Sequence, residues 1–459
     1  MSGAIQKTDL TSGGVYRSLM RMALPTTLAY VVMNVSLLID TYFVGAVGSD
    51  AVGGVTAAGI LVGILITLSA SSAMGAEVMI SRAWGAKRYE DARLALSQAF
   101  VAALALSALV TVAGLLGARP ALGLLGLSPE VREQGARYLE VMFGGASMIF
   151  LFVPATVAMR ATGDAITPMK AVALATIVNA ALDPLLILGV GPIPALGTAG
   201  AGYASVLGRA VGLVYLGRRF LARDSELRLV PRLMVPRPDV LKSMGNVGLF
   251  AALWMFFYDI SGLVLIRTVA GFGSATVAAY GIVMRIYSAV TLPAFGFATA
   301  SSALVGQNLG AGKPERALAT TRAAILTYGV VMVLVAAALV AFALPVMSVF
   351  AREAGVAEVG AWGLMLFAPS FPAVTVSMTL GRSMSGAGDT RSPMVMAFIS
   401  QILVRIPAAL LLSAALAQTG LWLALALSNV ANMMAAIALF ARGRWRRVDP
   451  SVRTTKPTA

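Results

Sequence analysis

The sequence predicts an all-α integral membrane protein: twelve transmembrane helices in two six-helix bundles, related by a pseudo-two-fold axis along the membrane normal. Three observations predict it. Of 459 residues, 58% are hydrophobic and only 12% are charged, far more apolar than a soluble globular chain of this size. Apolar runs of about 20 residues recur along the chain, each long enough to cross roughly 30 Å of hydrocarbon as a helix. One pattern also occurs twice: Gly85, Ala86, Glu90 and Ala92 in ISRAWGAKRYEDA return as Gly310, Ala311, Glu315 and Ala317 in VGQNLGAGKPERA, each number raised by 225. The same addition takes Gly48-Ser49 to Gly273-Ser274, Gly163-Asp164 to Gly388-Asp389, and Pro168-Met169 to Pro393-Met394. Two parallel copies of six spans enclose a cleft, and in membrane proteins a transported solute binds in such a cleft.

The expected spans of the first copy are 22–47, 52–80, 94–117, 138–160, 168–190 and 200–220. Those of the second are 243–269, 275–306, 320–345, 360–386, 393–415 and 420–441. The first span holds Pro25, which lacks an amide donor and weakens the helix locally. The second and eighth spans end in the GAKRYEDA and GAGKPERA turns, where glycine stops one helix and the acidic residue caps the next. Gly163 and Gly388 stop the fourth and tenth spans, and Pro168 and Pro393 open the spans that follow. Between the copies runs the longest polar stretch, broken by Pro231, Pro236 and Pro238. The expected domains are therefore an N-terminal bundle at 1–220, a cytoplasmic linker at 221–242, a C-terminal bundle at 243–445 and a cytoplasmic tail at 446–459.

A net charge of +15 would suggest nucleic-acid binding in a soluble protein, so the placement of the charges decides. Twelve crossings put Lys7, Arg17, Arg21, Arg82, Lys87, Arg88 and Arg93 on one side. The same side receives Lys170, the linker arginines from Arg218 to Arg237, Lys313, Arg316, Arg391 and the tail arginines. The opposite loops hold little beyond Arg119, Arg132, Arg137 and Arg352. This asymmetry places both termini in the cytoplasm of a cell inner (plasma) membrane and argues against a nucleic-acid partner. The first residues lack the apolar core of a removable signal peptide, so insertion is expected to start from the first span. The chain has no Cys and no His, which excludes disulfides, thiolate chemistry and imidazole metal sites and leaves carboxylates as buried proton carriers. No nucleophile and base stand together, so neither an enzyme nor a cofactor is expected.

Carboxylates inside a bilayer are unfavourable by roughly 2.5–3.5 kcal/mol on insertion scales, and three lie there: Asp40, Asp183 and Asp259. Asp40 and Asp183 each stand seven residues before the outer end of their span, at about 10 Å depth for 1.5 Å per residue. Asn179 lies four residues before Asp183 and shares its helix face. A carboxylate pair beside an amide suits either one proton or a small hard cation such as sodium. Structural readings compete: Asp183, next to Pro184, caps a restarted helix, or Asp40 pairs with Arg209. Asp259 is either a cavity residue that attracts cations or a partner of Arg405 or Arg285. Met33, Ser36, Met255, Phe256 and Tyr258 are candidates to line the cleft with it, although Met and Phe also fill any membrane core.

The run VAAYGIVMRIYSAVTLPAFGFATASSALVGQNLGAGKPERA, with LLIDTYFVG around Asp40, NAALDP at 179–184 and SGAGDTRSP at 385–393, resembles the multidrug and toxic compound extrusion (MATE) family. The resemblance covers nearly the whole chain. It implies antiport that exports cationic or amphipathic small molecules against protons or sodium by alternating access. It implies ion coupling at Asp40, Asn179 and Asp183, and bending of the first helix at Pro25. Several relatives carry a tyrosine where Ser36 stands and an asparagine in the fourth span near Val153, Pro154 and Ala155; their absence favours protons. A lipid-linked precursor flippase and a channel are the alternative functions, and a monomer in the bilayer is the expected state.

Overall fold

The computed structural model describes residues 10–222, 225–351 and 353–447. Lys7, Arg223, Arg352 and the predicted tail beyond Arg447, which entered the charge argument, lie outside the described residues. The helices in chain order are α1 (Val15–Gly45), α2 (Ser49–Gly85), α3 (Tyr89–Gly123), α4 (Pro129–Gly144), α5 (Ala146–Ala161), α6 (Ile166–Asp183) and α7 (Thr198–Leu221). They continue as α8 (Pro238–Ala270), α9 (Ser274–Gly310), α10 (Pro314–Ala341), α11 (Ala343–Phe350), α12 (Ala354–Phe367), α13 (Phe371–Gly386), α14 (Arg391–Ala397), α15 (Ile406–Leu416) and α16 (Gln418–Ala441). π-helical turns at Pro184–Leu188 and Phe398–Arg405 extend α6 and join α14 to α15.

Among the described residues eleven helical segments are long and apolar enough to cross a membrane, and twelve when α4 and α5 count as one span bent by 56°. The expected single span at 138–160 is thus broken, and it breaks at Gly144 and Gly145, two adjacent residues with poor helix propensity. A Cβ at Gly145 would lie 2.5 Å from Val206 Cγ2, so the break also lets α7 approach.

The duplication is written into the backbone. Positive φ occurs at Gly48 (140°) and Gly273 (92°), at Lys87 (60°) and Gly312 (72°), and at Gly163 (95°) and Gly388 (89°), each pair separated by 225 positions. The hydrogen bonds repeat as well. Arg88 N donates to Ala83 O and Lys313 N to Asn308 O, both at 2.8 Å; Asp164 N donates to Met159 O and Asp389 N to Met384 O.

The acidic residues of the first turn motif do not cap. Arg88 and Lys313 occupy the N-cap positions, Glu90 pairs with Arg93, and Glu315 pairs with Arg446 at 3.4 Å. Capping belongs instead to the second motif: Asp164 Oδ1 accepts from the amides of Ile166 and Thr167, and Asp389 accepts from the amide and hydroxyl of Ser392. A short carboxylate immediately before a helix is better placed to reach its free amides than one already inside the first turn.

The contacts group the chain into two compact units. Among the described residues one is formed by Leu28–Gly248, and the other by Leu10–Thr27 together with the chain from Leu249 to Arg447. In the first unit α2 packs on α3, α4 and α5, and α6 packs on α7. Its cores include Met79, Ile80, Phe100, Met159 and Phe220 near one end and Leu65, Leu139, Phe143 and Phe150 near the other. The linker belongs to this unit: Gln98 Nε2 donates to Leu233 O and Val235 O, and Arg237 N donates back to Gln98 Oε1. In the second unit α9 packs on α10 and α13, and α16 packs on α13 and α15. There Arg316 donates to the carbonyls of Leu10, Ser12 and Gly13, and Lys313 donates to that of Thr11.

Candidate functional site

The site is built in the first unit from α1, α4, α6 and α7. Ser36 and Asp40 stand four residues apart on α1 and therefore share a face. Asn179 and Asp183 share a face of α6 in the same way, with Asn179 only 4% exposed and Asp183 fully buried. Asp183 is the last residue of α6; Pro184 starts the π-helical turn, and Gly189, at φ 76°, ends it. The carboxyl of Asp183 makes no capping bond to that turn, so capping does not account for it.

The hydroxyl of Ser36 donates to Asn179 Oδ1 at 2.6 Å, and Asn179 Nδ2 donates to Asp183 Oδ1 at 3.4 Å. The Asp40 carboxyl faces both Asp183 and Asn179. One oxygen of each aspartate, Oδ1 of Asp40 and Oδ2 of Asp183, is buried without a hydrogen-bond partner. Such atoms are costly unless a proton or cation comes to them. Arg209 on α7 lies near enough to act on Asp40 through its charge and donates from Nη1 to Ser205 O at 3.0 Å, with no direct ion pair to the aspartate.

Tyr138 on α4 adjoins the same group, within electrostatic reach of Asp40, Asp183 and Arg209. Sequence reading missed it, because a lone tyrosine at the edge of an apolar run carries no periodic signal. Close packing positions α7 and its arginine: a Cβ at Gly208 would meet Ala175 O at 2.5 Å and Asn179 Cβ at 3.2 Å.

The other candidates divide between the units. Met33, on α1 in the first unit, is exposed, and Ser36 belongs to the aspartate group through its bond to Asn179. In the second unit, Phe256 and Asp259 are exposed on α8, and Met255 is half-buried. Asp259 makes no ion pair with Arg405 or Arg285. Tyr258 turns into its own unit, where its hydroxyl accepts from Asn432 Nδ2 at 3.1 Å. Pro25 lies inside α1, two residues before the point where that helix passes from one unit to the other. Among the described residues no three acidic side chains gather as a metal-binding group.

The MatE family model matches the chain twice, over residues 25–185 and 251–411, together well over half of its length. The chain belongs to the MatE family. Among similar proteins is a probable multidrug resistance protein, YoeA of Bacillus subtilis, 28% identical over 408 residues and covering 87% of each chain. A FAD transporter of Shewanella oneidensis is 24% identical, over 92% of this chain and 93% of the relative. Among solved structures, a MATE protein in a bent conformation superposes with a TM-score of 0.89 at 22% identity, over 96% of this chain and 98% of the other. An outward-facing multidrug resistance MATE transporter gives 0.88 at 22% identity, over 99% and 100%. This MATE chain is accordingly a multi-pass membrane protein of a multidrug efflux transporter family, with the family pattern present once in each half.

Proposed function

We propose that this MATE chain exports cationic or amphipathic small molecules across the plasma membrane in exchange for protons, by alternating access. The observation that supports this most directly is the pair of buried carboxyl oxygens, one on Asp40 and one on Asp183, that lack partners in a shared nest. Two carboxyls at close quarters in a low-dielectric site hold a single proton between them readily, because both cannot be charged cheaply. Asn179, fixed by Ser36, orients Asp183, and Arg209 balances the charge when the proton has left. Ser36, at a position where several relatives carry a tyrosine, and the lack of an asparagine near Val153 in the fourth span favour a proton over sodium.

In the working cycle, an inward-open state takes up the solute. A proton arriving at Asp40 and Asp183 from outside then weakens solute binding and releases it, and the proton leaves to the cytoplasm as the carrier resets. Pro25 supports the reading by leaving α1 without one amide donor below the aspartate, so that the helix has a place to bend. Met33, Met255, Phe256 and Asp259 are proposed to contact the solute, the carboxylate of Asp259 attracting cations. The basic linker and turns support a cytoplasmic location for both termini, and a monomer suffices for the cycle.

Reconstitution tests the reading. Liposomes containing the purified chain and loaded with a cationic dye should release it when a pH gradient is imposed and not when only a sodium gradient is. Export driven by sodium alone overturns proton coupling, and flux that persists after every gradient is collapsed points to a channel. Asp40→Asn should insert normally yet lose gradient-driven export; undiminished export by that variant removes Asp40 from the coupling site.

A further inference from the structure

The second unit contains a partly buried polar cluster that the proposed cycle does not use, and its charge is opposite to that of the aspartate site. Arg405 ends the π-helical stretch Phe398–Arg405, and its Nε donates to Ser428 Oγ on α16 at 2.8 Å. The other guanidinium nitrogens have no hydrogen-bond partner among the described residues, and they are not sealed from the surroundings. No carboxylate among the described residues pairs with the arginine. Its neighbours are the phenols of Tyr258, Tyr280 and Tyr287, all within electrostatic reach. Asn432, bonded to Tyr258, and Gln401, one turn before Arg405, complete the group, and the carbonyl oxygens of both amides are buried without a partner.

Position makes the contrast sharper. Subtracting 225 from Arg405 gives Ala180, the residue after Asn179, and subtracting it from Tyr258 gives Met33, one turn before Ser36. The duplicated helices that hold the paired carboxylates in one unit therefore hold an uncompensated guanidinium and the phenol of Tyr258 in the other. A lone cation inside a membrane span is unfavourable unless a counter-charge meets it. Phenol hydroxyls, amide N–H groups and the fork of an arginine together form a donor set suited to an anion. Gln401 Nε2 donates to Ser400 Oγ at 3.1 Å and Asn432 Nδ2 to Tyr258. Rotated about its last bond, either amide keeps that contact by accepting from the hydroxyl and turns its N–H donors to the unpartnered side, Tyr258 then donating to Asn432.

We infer that the second unit binds a small anionic group, a carboxylate, phosphate or halide, on Arg405 with Tyr258, Gln401 and Asn432 around it. The group arrives either free in solution or as part of a transported solute. Occupancy would neutralise the guanidinium and satisfy the amides on the rotated side.

Purified full-length chain in non-ionic detergent, titrated with sodium chloride, acetate or phosphate, tests the site without any gradient, so its outcome is independent of the proton-coupling reading. Ionic strength is held constant with sodium isethionate, and binding is read calorimetrically and by the fluorescence of Trp254 and Trp422. At least one anion should bind saturably at one site, roughly tenfold or more weakly in Arg405→Gln. Gln401→Glu should abolish binding by giving Arg405 an internal carboxylate one turn away, and it decides the matter if Arg405→Gln fails to fold. Absence of saturable binding by all three anions, or unchanged affinity in Gln401→Glu, overturns the proposal. The source is then read in liposomes. A free anion makes export of a cationic dye depend on chloride or phosphate in the buffer. A solute-borne one instead makes Arg405→Gln lose export of carboxyfluorescein while the cationic dye still moves. A chain that shows neither response overturns the proposal.

Discussion

At the scale of single residues, the aspartate group shows what is legible in a sequence and what is not. Asp40, Asn179 and Asp183 stand out because charged and amide side chains are rare in apolar runs and the last two are one turn apart. Ser36 drew notice as a candidate cleft residue and as the absence of a tyrosine, and the structure gives it another task, holding Asn179 through a 2.6 Å bond. Ser36→Ala should leave Asn179 Oδ1 buried without a donor, at a cost of about 1–3 kcal/mol. The expected result is a lower unfolding temperature and slower, but not abolished, proton-driven export, measured by thermal unfolding in detergent and by liposome efflux. Unaltered stability and transport would show that Asn179 is oriented without it. Tyr138 and the surroundings of Arg405 were not legible, because each depends on which helices meet, and α4 and α16 approach from distant parts of the chain.

Helices were read with more success than their ends. The apolar runs locate every span, but α2 and α9 continue several residues beyond them, to Gly85 and Gly310, because polar residues extend a helix as readily as apolar ones until a positive φ stops it. The break between α4 and α5 was hidden because Gly144 and Gly145 lie inside a mostly apolar stretch that runs from Val141 to Pro154. The small residues of α7 let neighbouring backbone come close: a Cβ at Gly200 would collide with Leu186 O, one at Gly208 would meet Ala175 O at 2.5 Å, and one at Gly212 would meet Ala171 O at 2.9 Å. Gly208→Val forces a backbone carbonyl to move and should destabilise the protein by about 1–3 kcal/mol. It should also disturb transport more than Gly217→Val, which has nothing within 4 Å of its Cβ position. Thermal unfolding and efflux of the two variants check this, and equal effects would remove the packing argument.

The whole molecule is a duplicated scaffold with unlike contents. Turn geometry is conserved at an offset of 225 while the buried charges are not: Asp40 corresponds to Leu265 and Asp183 to Ala408. The repeat was visible in sequence because turns demand particular residues, glycine above all, whereas a packed apolar face accepts many. Orientation in the membrane can be measured directly, since the chain has no cysteine to remove. Single cysteines at Lys87 and Lys313 should react with an impermeant maleimide only from the cytoplasmic side, and one at Glu130 only from outside; the reverse pattern would invert the proposed topology.

The division of α1 has a consequence for how the protein is made. Leu10–Thr27 is synthesised before Leu28–Gly248 yet packs with the unit that contains α16, made much later, while Pro238–Gly248 completes the unit that starts at Leu28. Met244 closes on Gly75, and Ser71 on Gly248, so the earlier unit is unfinished until translation has passed the linker. Co-translational folding therefore cannot close one half before starting the next. A chain cut within the linker at Leu229 should leave each fragment short of a piece held by the other. Fragments made singly should be degraded, and fragments made together should accumulate and export; a stable N-terminal fragment on its own would show that the exchanged segments are dispensable.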